Sequence, residues 1–353
     1  MLKKNIIFGI LGLGRVVEKR LINVFLKELK NAKVEIVYDK DKSKTNKYSK
    51  LLNCKKAIKF SDLLNSNLDF IYIATESGNH YHHIKKCFLA NHNVIVEKPP
   101  VLKESQLLEL SKIAKRRKLK FYSVFQNRLN KSVQFVKKYI RENKDIVYIT
   151  LDLSWSRFQN YYNDWHGKWK MDGGVVAQQG IHYIDILVYL FGNPIKCIST
   201  ISNKTNKLQA EDTHNSLIIF KNNLSCTCNF TTALRPKDHE ASIKIYMKKQ
   251  IINLEGLCCN IVNYTNYDKS KNNKLSTICK KNSEKVNSGY GRSHFRVIQN
   301  IIDDELKIKN KFKPLKAKDT LQTVRLLNMM YMSAELNKWV FSKSKNIKSK
   351  LGN

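Results

Sequence analysis

The chain has 353 residues, 42% of them hydrophobic and 10% aromatic, which suffices for two domains with a sizeable core. No apolar run approaches the roughly 20 residues that span a bilayer, so no membrane partner is expected. The net charge of +35 would suit a nucleic acid, but the lysines are spread through the whole length and no helix-turn-helix, zinc-finger or RNA-binding signature gathers them, so no specific nucleic acid is expected either.

The first residues, MLKKNIIFGILGLGR, carry the lysines and apolar stretch of a signal peptide. No small-x-small cleavage site follows, and the protein is expected to be cytoplasmic. The eight cysteines lack CxxC spacing. Cys226 and Cys228 alternate with Ser225, Thr227 and Asn229, one face of a strand, and read as core. Adjacent Cys258 and Cys259 offer no zinc spacing, and no metal is expected.

In chain order, NIIFGI reads as a buried strand that runs into a glycine turn. A helical pattern follows over 16–29, then a strand over 34–38 that ends at Asp39. Gly12-x-Gly14 begins a dinucleotide fingerprint whose third glycine is replaced by Val17. Gly12 and Gly14 supply the tight turn and the close approach to a pyrophosphate at a helix start. Val17 implies a slightly wider helix–strand fit. Asp39 stands where a carboxylate accepts hydrogen bonds from the adenosine ribose, which favours NAD, with NADP left open because Lys40 adjoins it.

The alternation continues. A strand over 68–75 (LDFIYIAT) precedes a helix bearing His80, His82 and His83, which have no carboxylate in register for a metal and read as surface or cofactor-edge groups. A strand over 93–100 (NVIVEKPP) ends in Glu97 and Lys98. A helix over 103–117 and a strand over 120–125 complete a parallel, doubly wound sheet. Ligands of such sheets lie at the carboxyl ends of the strands. Gly12, Gly14, Arg15, Val16, Asp39, Thr75, Asn79, His80, Glu97 and Lys98 are the residues expected to line the nucleotide.

The pattern changes near residue 126. A helix over 131–141 leads into strands over 146–155, 195–202 and 216–220, the last pairing with 224–231, and a hairpin of 241–248 with 250–254. Residues 267–290 read as a mobile loop or hairpin, 293–306 and 318–339 as helices, and the tail from 342 as frayed. The expected class is thus α/β: a dinucleotide-binding domain at 1–125, then an α+β domain at 126–353 with a large, mainly antiparallel open sheet.

The stretch 171–194, MDGGVVAQQGIHYIDILVYLFGNP, opens on two glycines and closes on Gly192-Asn193-Pro194 around a helix with an apolar face. Gln178, His182 and Asp185 fall at i, i+4 and i+7, on one stripe. Such a stripe is either a solvated face or a rigid mount for proton transfer.

GLG at 12–14, EKP at 97–99 and GGxxxxxGIHxID at 173–185 together resemble the Gfo/Idh/MocA family, and ATESGNHYHHIKKCFLANHNVIVEKP follows that family's third and fourth strand region closely. The resemblance covers nearly the whole chain. It implies a Rossmann domain, an open-sheet second domain, NAD(P)-dependent oxidation of sugars or cyclitols, a cis peptide before Pro99, and a dimer or tetramer. WSRFQNYYNDWHGKWKMDGG, 155–174, is similar to members acting on nucleotide-activated N-acetylamino sugars at the 3-hydroxyl, which typically carry arginine where His166 stands. The family's catalytic lysine and histidine correspond to Lys98 and His182. Its catalytic aspartate corresponds to Gln178, an amide that orients but exchanges no proton, as asparagine does in part of the amino-sugar branch. Arg157, Tyr161, Tyr162, Trp169 and Asp185 are expected to line a sugar or diphosphate pocket, with ordinary packing as the alternative. For Asp185, orienting His182 and capping a surface are equal readings. Two other functions stay open: a cyclitol or free-sugar dehydrogenase, and a catalytically silent NAD-binding sensor or scaffold.

Overall fold

The computed structural model describes residues 5–267, 273–310, 312–345 and 347–353, and the chain divides into two compact units. The first takes residues 1–126 and 292–321. Its strands are β1 (Ile6–Leu11), β2 (Ala32–Tyr38), β3 (Lys55–Lys56), β4 (Phe70–Ile73), β5 (Asn93–Val96) and β6 (Phe121–Ser123). They stand in the order β3-β2-β1-β4-β5-β6 with every neighbouring pair parallel. A parallel sheet is covered on both faces, which is why β4 is buried at all four positions and reads as an unbroken apolar run. Phe8 of β1 stacks on Phe70 of β4 with ring centroids 6.1 Å apart.

The helix after the glycine turn is wound wider than an α-helix at Val17–Leu21 and Val24–Glu28. Val17, in place of the third fingerprint glycine, is fully buried at its start. Helix α1 (Lys42–Leu51) has no clear apolar stripe and was not visible in the sequence. Its start is held instead by the Asp41 carboxylate, which accepts from the amides of Ser43 (2.9 Å) and Lys44 (3.3 Å). Helices α2 (Phe60–Leu64), α3 (His80–Leu89) and α4 (Glu104–Arg117) follow. The helix Ser293–Glu305 returns to this unit with Ile298, Ile301 and Ile302 buried, and Glu305 pairs with Lys120 at 2.5 Å.

The second unit takes residues 127–291 and 322–353. Its eight strands are β7 (Ile146–Ser154), β8 (Lys196–Ser202), β9 (Thr213–Ile219), β10 (Ser225–Thr231), β11 (Glu240–Met247), β12 (Gln250–Glu255), β13 (Ile261–Asn266) and β14 (Val340–Phe341). Their order is β13-β12-β11-β7-β10-β9-β8-β14, antiparallel throughout except for β7 beside β10. Cys226, Cys228 and Phe230 point to the covered face of β10, as their alternation requires. Helices α5 (Lys131–Glu142), α6 (Ile181–Phe191), α7 (Asn273–Asn282) and, after α8 (the Ser293–Glu305 helix of the first unit), α9 (Leu321–Leu336) complete the chain. A Cβ on Gly180 would sit 2.9 Å from the Phe230 ring, so glycine lets the start of α6 lie close on β10.

Two sequence expectations need correction. Residues 273–282 of the expected loop form helix α7, with Cys279 buried; residues 268–272 of that loop lie outside the described residues. The tail is tied down rather than frayed at 347–353: Leu351 is buried, and the amides of Gly352 and Lys350 donate to Trp169 O and Glu335 Oε1, each at 2.8 Å.

Candidate active site

In the first unit, β1 and β4 flank the point where strand order reverses, and the glycine turn leaves β1 there. Gly12 has φ +88°, and a Cβ on it would lie 2.7 Å from Thr75 N and 2.8 Å from Ala74 C and O. Nothing lies within 4 Å of the Cβ position at Gly14, so the helix start beyond the turn is open. That is the cradle a pyrophosphate needs. Arg15 is exposed and Val16 half-buried beside it. Asp39 accepts from Leu13 N at 2.7 Å through Oδ2 and from Asp41 N at 2.8 Å through Oδ1. Each oxygen keeps a second lone pair for a ribose hydroxyl, whereas a 2′-phosphate would face this carboxylate. Lys40 is drawn to Glu76 at 2.5 Å. The residues fit a bound NAD. Gly12→Ala is expected to weaken NADH binding by about tenfold or more, because a forced φ and a backbone clash both oppose it. Fluorescence titration reads this; an unchanged affinity would remove the turn from the binding site.

The end of β5 carries the second group. Glu97 is 6% exposed; its Oε1 accepts from Tyr72 OH at 2.7 Å and lies 3.5 Å from His294 Nε2. Burial pushes its pKa up, but the His294 and Tyr72 hydrogen bonds and the charges of His294 and Lys98 outweigh that and hold it below the ordinary value. Glu97 is therefore an ionised anchor beneath the turn. The Lys98–Pro99 peptide is cis, as the family resemblance implies. His80 is 1% exposed, with ring nitrogens 2.8 Å from Pro99 O and 3.0 Å from Thr75 O. It thus braces the turn from behind, which corrects the surface reading of this histidine. Thr75 Oγ1 lies 2.9 Å from His83 Nδ1, and Asn79 donates to Glu76 at 3.2 Å. Among the described residues no group of three or more His, Cys, Asp or Glu could hold a metal. Lys98 itself is half-buried at the carboxyl end of the sheet.

In the second unit the chain over Val176–Gly180 winds wide and passes into α6 at Ile181. From Asp172 to Leu187 every residue is buried except Gln178 and His182, which are half-exposed. The stripe read from the sequence therefore shrinks to two members. Asp185 is 1% exposed and bound by Arg128 through Nε (2.7 Å) and Nη2 (2.5 Å), with Thr323 Oγ1 donating at 2.8 Å. It caps no surface; seven residues after Gln178, the wide turn and the helix carry it round to α9. Gln178 Oε1 accepts from the side-chain amide of Gln179.

Residues 155–169 gather aromatic rings and charge. Arg157 pairs with Asp238 at 2.8 Å and lies 5.0 Å from the Trp155 ring and 5.8 Å from the Tyr161 ring. His166 stacks on Trp165 at 3.9 Å and lies 4.4 Å from Tyr161. Arg235 sits 4.5 Å over Phe158, which is 52% exposed. Tyr162 is buried with its hydroxyl 2.7 Å from Thr232 Oγ1, and burial pushes its pKa up to about 12. Trp169 packs edge-on to Tyr331 at 5.3 Å. Arg157 and Tyr161 thus come together with exposed groups, while Tyr162 serves the interior. Sequence reasoning missed Tyr72 and His294, which hold Glu97, Arg128, which holds Asp185, and Tyr331, which packs on Trp169; none falls in a motif.

A doubly wound parallel sheet with this open glycine turn defines a dinucleotide-binding domain. Residues 6–125 match the family model described as "Oxidoreductase family, NAD-binding Rossmann fold", and residues 137–341 match its "C-terminal alpha/beta domain". The chain belongs to the Gfo/Idh/MocA family of oxidoreductases, and its first domain is an NAD-binding Rossmann domain. It is 25% identical over 186 residues to an uncharacterized oxidoreductase of Synechocystis, covering 48% of this chain and 50% of the relative. It is 28% identical over 129 residues to the scyllo-inositol 2-dehydrogenase (NADP(+)) IolW of Bacillus subtilis, covering 36% of each. The chain thus spans half or less of these two relatives. The fold is that of the WlbA dehydrogenase of Chromobacterium violaceum, solved in complex with NADH and UDP-GlcNAcA, with a TM-score of 0.86, 24% identity and 97% of each chain covered. No described helix is long and apolar enough to cross a membrane.

Proposed function

We propose that this oxidoreductase transfers hydride between NAD and a ring hydroxyl or ketone of a sugar, and that the sugar is nucleotide-activated, of the UDP-N-acetylamino type used in surface-polysaccharide synthesis. The observation that carries the reading is the exposure pattern of 172–187, which leaves Gln178 and His182 alone at the surface of a buried helical run. A solvated face would expose a broad stripe; two groups four residues apart suit a site.

Gly12, Gly14 and Asp39 hold the nucleotide, whose nicotinamide supplies the hydride acceptor. His182 takes the proton of the ring hydroxyl at its imidazole. Lys98 holds the oxygen as negative charge builds on it, and Gln178 orients that hydroxyl through its amide without exchanging a proton. Glu97, pinned by Tyr72 and His294, keeps Lys98 at the end of β5. Arg157, Tyr161 and Trp169 line the sugar and diphosphate, the guanidinium for the phosphates and the rings for the sugar faces. The segment over 155–169 and the fold shared with a UDP-GlcNAcA complex support the sugar-nucleotide reading. The likeness to a scyllo-inositol dehydrogenase favours a cyclitol as the second reading. The outward face of the second sheet, with Tyr148 stacked on Tyr246 at 4.3 Å, suits a second copy of the chain and hence a dimer or tetramer.

Purified protein with NAD should form NADH on UDP-N-acetylamino sugars and their uronic acids, and far less on scyllo-inositol. The reverse order of activity selects the cyclitol. Tight NAD binding with no hydride transfer to either class leaves the silent sensor.

A further inference from the structure

The geometry points to Glu211, clasped by Tyr331, as the residue that positions the helix face bearing Gln178 and His182. The inference deepens the reading above, since it takes that face as the proton-handling one.

Two consecutive glycines open the helical run, and the structure gives each a reason. Gly173 has φ +67°, and a Cβ there would lie 2.7 Å from Leu351 Cδ1 and 3.0 Å from Tyr331 OH. At Gly174 a Cβ would lie 2.2 Å from Glu211 Cδ, O and Oε2. The glycines leave room for one buried carboxyl and one buried phenol, both from distant parts of the second unit.

Those two groups satisfy the start of the helix. A helix leaves its first amides without partners of its own. Here Gly174 N donates to Tyr331 OH at 3.1 Å, Val175 N to Glu211 O at 3.0 Å and Val176 N to Glu211 Oε1 at 3.2 Å. Tyr331 OH donates to the same Glu211 Oε1 at 2.9 Å. The first bond within the run, Gln178 N to Gly174 O at 3.1 Å, begins immediately after. Three successive amides are thus fixed by a cap that comes from outside the helix, two residues before Gln178 and six before His182. The cap acts on Gln178 and His182 through the backbone of the helical run.

Glu211 is 1% exposed, and Tyr331 is fully buried. Burial, with Asp212 nearby, pushes the Glu211 carboxyl up to about 8. One carboxyl oxygen accepts from both Val176 N and the Tyr331 hydroxyl, so its lone pairs do the holding. A glutamine has the same shape and the same carbonyl acceptor; an alanine has neither.

The test reads the helix start and the turnover separately. Hydrogen exchange of peptides covering 172–184 is measured by mass spectrometry in E211A, E211Q and Y331F, with kcat, KM and NADH affinity on the same proteins. E211A should exchange about tenfold faster over 174–178, lose up to about a hundredfold in kcat, and keep the NADH affinity of the first unit. E211Q should restore most of the protection and most of the kcat. Should E211A not fold, Y331F, which deletes one hydroxyl, should still accelerate exchange at the helix start. Wild-type protection and kcat in E211A or, for an unfolded E211A, unchanged exchange in Y331F overturns the inference, as does an E211Q as impaired as E211A. The exchange arm needs no turnover, so it decides the role of Glu211 even if His182 proves dispensable.

Discussion

His182→Ala is expected to lower kcat by roughly two to four powers of ten, the range over which a positioned acid–base group contributes, while NADH binds as before. The side chain reaches the surface from the first turn of a helix whose other residues up to Leu187 are buried. It lies in the second unit, whereas Gly12, Gly14 and Asp39 lie in the first, so its removal leaves the nucleotide cradle intact. Asparagine at 182 should not rescue, because a carboxamide neither gains nor loses a proton as a base or acid near neutral pH. Stopped-flow NADH formation and a separate NADH titration give the two quantities. Turnover at the wild-type rate would remove His182 from the chemistry.

Lys98→Met is expected to cost about a hundred- to a thousandfold in kcat/KM, the effect of deleting one donor to a developing oxyanion. Methionine keeps most of the chain length and packing of lysine while removing the charge. The loss should fall mainly on kcat, since an interaction that strengthens as charge develops stabilises the transition state more than the bound sugar. Lys98→Arg should recover only part of the rate, because a planar fork does not occupy the position of a compact ammonium. Steady-state kinetics on the identified sugar decide it; equal kcat/KM in the wild type and the methionine variant would show that the turn after β5 is merely structural.

Much of this fold was legible in the sequence because burial writes itself into residue choice. The strands β1, β4 and β5 are buried on both faces and read as apolar runs, and β10 shows its cysteines and phenylalanine on alternate positions. Elements held by polar contacts escaped. Helix α1 is made by the Asp41 cap over a sequence of lysines, serines and threonine, and β14 is two residues long. Asp185 showed the limit of spacing arguments: i+7 from Gln178 looked like one stripe, yet a wide turn and a partner arginine at 128 placed it inside. The site's motifs were visible because glycines, EKP and the histidine stand in short windows. Their supports were not. His294, Glu211 and Tyr331 lie 197 residues after Glu97 (294 − 97), 37 after Gly174 (211 − 174) and 157 after it (331 − 174), and only folding joins them.

The most direct measurement is a crystal structure of the protein with NAD and a UDP-N-acetylamino sugar. The account predicts Lys98 Nζ and a His182 ring nitrogen within hydrogen-bond reach, about 2.6–3.2 Å, of one and the same sugar hydroxyl. A sugar bound with that hydroxyl beyond reach of either group, or with the two groups on different faces of the molecule, would contradict it.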